Sequence, residues 1–181
     1  MLNCVLDANI LYPVLLRDLF LCLHNNDAID AFWSSLIQDE WVRNVSQNRS
    51  EDREKFQKVA DRMNTIFPTS CVSTELVNSR LKDIKMEKDR DDRHVVACAV
   101  ESKSRYIVTY NIKDFPASEI EEWNVCAIHP DQFISQFVDK ELLRISFHQQ
   151  LKMYKNPPYS KEDLLELMVK RGLVETAKIL R

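Results

Sequence analysis

The chain has 181 residues, a length that suits one domain, or one domain with a small appendage. Hydrophobic residues make up 45% and charged residues 29%, which excludes a disordered chain and allows a sizeable core. The formal net charge of −3, from 28 acids against 25 bases, excludes a grip on nucleic acid by bulk positive charge alone, although acids that hold cations escape that objection because the ions invert the local field.

No apolar run approaches the roughly 20 residues of a membrane span. The opening Met1-Leu2-Asn3-Cys4 lacks the basic segment of a secretory leader. A soluble cytoplasmic protein is therefore expected, with no membrane partner. Cys4, Cys22, Cys71, Cys98 and Cys126 form no C-x-x-C pair and lie among apolar neighbours; they are expected as buried free thiols, not zinc ligands. The single glycine, Gly172, excludes the glycine-rich phosphate loops of dinucleotide and P-loop proteins.

Taken in order, Asn3–Leu6 is predicted as a buried strand ending at Asp7. Residues 11–24 are predicted as a helix that tolerates Pro13 in its first turn. The apolar spacing over 29–45 (Ile29, Phe32, Trp33, Leu36, Ile37, Trp41, Val45) predicts a second helix. A third covers 50–67, with Ser50 as its N-cap and Pro68 as its stop. Residues 72–81 are ambiguous between a brief strand and a helical turn. Residues 92–102 form a helix, 106–109 a strand, 125–128 a strand and 130–138 a helix. Strand–helix–strand spacing of this kind implies parallel strands joined by right-handed crossovers. From 139 onward the pattern is helical: 141–153, a break at Asn156-Pro157-Pro158, a helix capped by Ser160 with Asp163 at the capping-box position, Gly172 as terminator, and a last helix to Leu180.

Four acids stand where strands meet loops or on helices able to face them. Asp7 ends the first strand, Glu40 lies in the 29–45 segment, Asp92 opens the 92–102 helix, and Asp114 follows the 106–109 strand. In open α/β sheets, sites form at the carboxyl ends of strands. Each acid also has an ordinary explanation: a turn, a solvated helix face, an N-cap, a loop before Pro116. Asp39 rivals Glu40, and Asp91 rivals Asp92, by adjacency. No serine pairs with a histidine in a triad pattern. A phosphatase of the haloacid-dehalogenase type needs a second Asp two residues after its nucleophile, where this chain has Asn9.

The order of these acids resembles the PIN-domain ribonucleases. The block from Asp92 to Pro116 carries the resemblance most specifically: an acid before an alanine-containing apolar helix, an Ile107-Val108-Thr109 strand, Asn111, then Asp114-Phe115-Pro116. Asp7-Ala8-Asn9 is similar to the family's first motif, and the stretch with Glu40 and Arg43-Asn44 to its second. The similarity covers about residues 1–137. The helical tail, 138–181, is similar to an extension found in some toxins of the VapC kind. The resemblance implies an α/β fold, a Rossmann-like parallel sheet surrounded by helices, with a small all-helical extension. It implies Asp7, Glu40, Asp92 and Asp114 as catalytic metal-binding acids, Asn9, Thr109, Asn111 and Asp91 as supporting polar groups, and Arg43 and Arg93 as contacts to RNA. It implies Mg²⁺ or Mn²⁺ as cofactor, hard ions suited to carboxylate oxygen. The activity implied is endonucleolytic cleavage of RNA, leaving 5′-phosphate and 3′-hydroxyl ends, by the toxin of a type II toxin–antitoxin pair. An antitoxin partner is implied with it, and a homodimer is compatible with the family. The alternative is a PIN-like RNA-binding scaffold without catalysis.

Overall fold

A computed structural model describes residues 2–49 and 53–181, with side chains at 48 and 49 excepted. Five short strands form one parallel sheet: β1 (Asn3–Leu6), β2 (Asp30–Ser34), β3 (Cys71–Val72), β4 (Tyr106–Val108) and β5 (Cys126–Ile128), in the order β3-β2-β1-β4-β5. Cys4 sits opposite Ala31 on one side and Tyr106 on the other; Val5 sits between Phe32 and Ile107. Helices cover both faces, so β1 runs as the unbroken apolar string Cys4-Val5-Leu6, all fully buried. The expected α/β fold with a helical extension is what the chain adopts.

This strand order has a physical consequence for the site. From β1 the chain steps outward through β2 to β3, then returns to the other side of β1 as β4. Connections leaving the carboxyl ends of β1 and β4 therefore part to different sides, and a crevice opens between them. Asp7 lies at that point, its N–H donating to the Val108 carbonyl at 3.2 Å.

Two predicted helices are corrected. Residues 11–24 are not one helix: α1 (Ala8–Leu11) ends, and α2 (Val14–Asn25) begins after Pro13. Pro13 has no N–H to extend α1 and takes an extended backbone, φ −76° and ψ 119°, which redirects the chain. Residues 29–45 divide into β2 and α3 (Ser35–Arg49). Ile29, Ala31 and Trp33 are all fully buried at a period of two, while Ile37, Trp41, Val42 and Val45 follow the helical period. Pairs of adjacent apolar residues at 32–33 and 36–37 satisfy either spacing, and sheet pairing on both sides decides for the strand.

The remaining elements follow the expected order. α4 (Arg53–Ile66) buries Phe56, Ala60 and Met63, while Ile66 is exposed; the Ser50 cap lies outside the described residues. The ambiguous stretch resolves into the edge strand β3 and α5 (Thr74–Leu81), whose first turn is capped by the Ser73 hydroxyl. α6 (Arg93–Glu101) is the buried helix of the Asp92 segment. A 3₁₀ turn at Ile112–Asp114, α7 (Ala117–Ile120) and a second 3₁₀ turn lead to β5, then α8 (Pro130–Phe137). The extension comprises α9 (Lys140–Met153), α10 (Lys161–Lys170) and α11 (Val174–Leu180). At Ser160 both bonds of the capping box form with Asp163. α9 lies along α2, with Gln150 donating to the Leu15 carbonyl at 2.7 Å and Asn26 to Gln149 Oε1 at 2.7 Å. Leu164, Met168, Leu173 and Ala177 join the same apolar core as the sheet.

The cysteines are free, but not all buried: Cys71 is partly covered and Cys126 is exposed. Both lie on the outermost strands, which have a neighbour on one side only. Among the described residues, no helix is long and apolar enough to cross a membrane.

Trp33 joins the sheet to α4. It is fully buried, meets Phe67 edge-on with ring centroids 6.3 Å apart, and donates its indole N–H to Asn64 Oδ1 at 2.8 Å. Trp33→Ala is expected to destabilise the fold by about 3–5 kcal/mol, read as a lower urea midpoint with an unchanged m-value.

Candidate active site

Asp7 is only 4% exposed. A carboxylate so placed needs hydrogen bonds in place of water. Its Oδ1 accepts the Ala8 N–H at 2.6 Å, and its Oδ2 accepts Asn9 Nδ2 at 2.7 Å and the Thr109 hydroxyl at 2.6 Å. The Asn9 amide also donates to Thr109 Oγ1 at 2.9 Å, and its Oδ1 receives the Tyr110 N–H at 3.1 Å. The Asn111 N–H donates to Thr109 Oγ1 at 2.9 Å. The ends of β1 and β4 are thus tied through side chains as well as through the sheet. With two donors on Oδ2 and one on Oδ1, the lone pair left for the crevice is on Oδ1.

A cavity of about 250 Å³ opens over this carboxylate, lined by Asp7, Ala8, Asn9, Tyr12, Glu40, Asn44, Asp92 and Asn111. The structure therefore brings Asp7, Glu40 and Asp92 to one space, with Asn9 and Asn111 beside them and Thr109 directly beneath Asp7. The residues that rival each other by adjacency are placed differently. Glu40 lines this cavity, while Asp39 is exposed and lines a neighbouring hollow of about 550 Å³. Asp92 lines both, while Asp91 is exposed and lines the second. Arg43 is exposed on the second hollow. Arg93 is half-buried, its Nε donating to the Arg90 carbonyl at 2.9 Å.

Asp92 occupies the N-cap position of α6 but makes no capping bond with its side chain. The ordinary explanation for an acid there therefore does not account for it, and its carboxylate faces the crevice. Asp114 is not among the residues lining the Asp7 cavity. It approaches the site through Asp92: one oxygen from each of Asp89, Asp92 and Asp114 lies within 4.8 Å of the others. Asp92 is shared by the two acidic groups.

Charge crowding is visible in the titration behaviour. Burial pushes the Asp7 carboxyl up to about 6; the Thr109 hydrogen bond opposes this, Glu40 adds to it, and the Ala8 N–H and His94 oppose it. Asp92 is pushed up to about 7, first by burial, then by the negative charges of Asp7, Asp89 and Glu40, with His94 opposing. His94 Nε2 lies 3.4 Å from Glu40 Oε2, and its buried Nδ1 has no hydrogen-bond partner among the described residues.

Sequence reasoning did not single out Asp89, Tyr12 or the His94–Glu40 contact. Asp89 stands in the alternating-charge run Glu87-Lys88-Asp89-Arg90-Asp91-Asp92, which carries the signature of a solvated loop. Asn44, quoted with Glu40 in the second motif, lies one turn after it on α3 and lines the same cavity.

Comparison with known proteins agrees with this architecture. Residues 3–113 match the PIN domain family model, and residues 130–181 match that of the VapC50 C-terminal domain. A similar protein is "Putative ribonuclease VapC50" of Mycobacterium tuberculosis (strain ATCC 25618 / H37Rv), 32% identical over 85 residues, which is 46% of this chain and 50% of that protein. The alignment thus spans about half the length of that relative. No solved structure gives a significant match. The chain belongs to the PIN-domain family, and it carries a VapC50-type C-terminal domain behind its PIN domain.

Proposed function

We propose that this protein is a divalent-metal-dependent endoribonuclease, acting as the toxin of a type II toxin–antitoxin pair. The observation that carries the reading is the convergence of Asp7, Glu40 and Asp92 on one small cavity at the crevice between β1 and β4. The PIN-family membership and the similarity to a relative described as a putative ribonuclease support it.

The donor set fits a hard cation. Carboxylate oxygens from distant parts of the chain share one space, and ionised together they repel each other. Oxygen-only sites of this kind suit Mg²⁺ or Mn²⁺. Asp7, Glu40 and Asp92 would hold one ion, and Asp114, with Asp89, extends the acidic surface from Asp92. Such an ion supplies Lewis acidity, acidifying water and neutralising phosphate charge. The chain's own groups do the positioning. Asn9 and Thr109 fix the Asp7 carboxylate, His94 lies against Glu40, and Asn44 and Asn111 offer polar side chains along the cavity wall. Arg43, and less directly Arg93, would meet the RNA backbone by phosphate contacts. The products would be 5′-phosphate and 3′-hydroxyl ends.

Residues 1–137 would form the catalytic unit and 138–181 a helical extension of it. The antitoxin would restrain the enzyme by filling the acidic crevice, most simply with a basic side chain among the carboxylates. A homodimer of the toxin fits the same scheme.

The reading is tested by expressing wild type beside Asp7→Asn and Asp92→Asn and sequencing RNA 5′ ends. Growth arrest and discrete new 5′ ends are expected from wild type alone, with kcat in the variants lowered by about 10²-fold or more. Equal toxicity from all three, or RNA cleavage undiminished by chelation, would refute it. A non-catalytic scaffold predicts no carboxylate-dependent binding of Mn²⁺ in a calorimetric titration.

The acidic cluster also sets a pH dependence for the metal-free protein. Asp92 and Asp7 have carboxyls raised in the fold, so the fold favours their protonated forms. That contribution to stability is fully present below about pH 4 and is lost as pH rises through about 6 and 7. Asp92→Asn removes one of these charges. In metal-free buffer, the Tm of Asp92→Asn is expected to match wild type near pH 4 and to exceed it by on the order of 3 °C at pH 8. Adding Mn²⁺ at pH 8 should reverse the order, because the wild type gains more from binding.

A further inference from the structure

Tyr110 links the C-terminal helices to the hydrogen-bond network around Asp7. Its backbone N–H donates to Asn9 Oδ1 at 3.1 Å, and Asn9 in turn donates to Asp7 Oδ2. Its phenol points the other way and donates to the carbonyl of Arg171, which caps the end of α10. Helix ends leave carbonyls without intrahelical partners, and the negative end of the helix dipole favours a donor there. Tyr110 supplies that donor from across the molecule.

The end of α10 is shaped for this meeting. Gly172 takes φ +81°, its N–H bonds the Val169 carbonyl at 2.9 Å, and the Leu173 N–H bonds Met168 at 2.9 Å. This is a Schellman turn, and only glycine takes that φ without strain. A Cβ built on Gly172 would lie 3.7 Å from His129 and 3.9 Å from Tyr110, so the turn rests against both rings. His129 meets Tyr110 edge-on at 5.0 Å between centroids. On the far side of the turn, buried Asp131 accepts the N–H groups of Glu175 and Thr176 at 2.9 and 2.8 Å, and the Thr176 hydroxyl at 2.7 Å. The start of α11 is thereby fastened to α8.

We propose that the α10–α11 turn acts as a positioning clamp: by docking on Tyr110 it holds the 109–111 loop, and through Asn9 the Asp7 carboxylate, in place. Tyr110 does not line the cavity and is a positioning residue, not a catalytic one. The catalytic consequence of the clamp rests on the metal-site reading above; the mechanical coupling does not.

The experiment is hydrogen–deuterium exchange on the full-length chain, comparing wild type with Tyr110→Phe, which deletes only the hydroxyl, and with Asp131→Asn, which loosens α11 at a distance. Thr176→Val is the milder form of the second change and answers the same question if Asp131→Asn fails to fold. In each variant, peptides covering 107–112 should exchange about threefold to tenfold faster than in wild type. Mn²⁺ should bind about threefold or more weakly, and kcat on RNA should fall while KM stays near the wild-type value. Wild-type exchange at 107–112, with faster exchange confined to 160–181, would overturn the clamp and leave the tail as simple packing. Coupled exchange in a protein that neither binds Mn²⁺ nor cleaves RNA would uphold the clamp and sink the nuclease reading instead.

Discussion

Everything at the crevice depends on keeping the Asp7 carboxylate out of bulk water and still able to ionise. Burial alone works against the charge, as its raised titration shows. Three donors work for it, and they come from both sides of the switch point: Ala8 and Asn9 after β1, Thr109 after β4. Neither strand could hold this carboxylate alone. The β1–β4 pairing, in register from Cys4–Tyr106 to Leu6–Val108, is what brings residues about a hundred positions apart to one side chain. Sheet topology is thus the first component of the site, and the acids are the second.

The same constraint explains why the site opposes the fold's own stability. Asp7, Asp89 and Glu40 raise the cost of ionising Asp92, and Glu40 that of ionising Asp7, where burial already raises both. A chain selected for stability alone would place neutral groups here, as natural proteins accept local destabilisation chiefly at functional positions. His94 offsets part of the repulsion from its place against Glu40. A cation would offset far more, which ties the chemistry proposed here to the energetics of the apo fold.

How much of this could be read beforehand depended on how local the signal was. Asp7 was legible because a short apolar run ending in an acid marks a strand terminus. Asp92 was legible because it precedes an unbroken apolar helix. β2 was not, since Phe32-Trp33 and Leu36-Ile37 satisfy helical spacing, and only pairing with β1 and β3 reveals a strand. The break at Pro13 was misjudged for a related reason: proline is tolerated in a helix's first turn, and whether it starts a new helix depends on what the preceding turn must cap. That preceding turn is α1, whose first N–H groups crowd around Asp7. Asp89 was hidden because its importance lies in folding back on Asp114, 25 positions on, which no periodicity reports.

Tyr110 is the clearest case of a residue whose role exists only in three dimensions. In the sequence it is one aromatic at the end of a strand, between a threonine and an asparagine that attract attention for better reasons. In the fold its two hydrogen-bonding groups face opposite ways, one toward the carboxylate network and one toward a helix end 61 positions later. The only glycine in the chain forms the turn that meets it. A tail needed merely to cover apolar surface could have done so with any amphipathic pair of helices. This one directs a helix terminus and a left-handed turn toward the loop that carries Thr109 and Asn111, while Asp131 of α8 fastens the start of α11 on the far side. Such directed polar contacts constrain orientation more tightly than apolar packing does, which is what a site built from widely separated carboxylates requires of its surroundings.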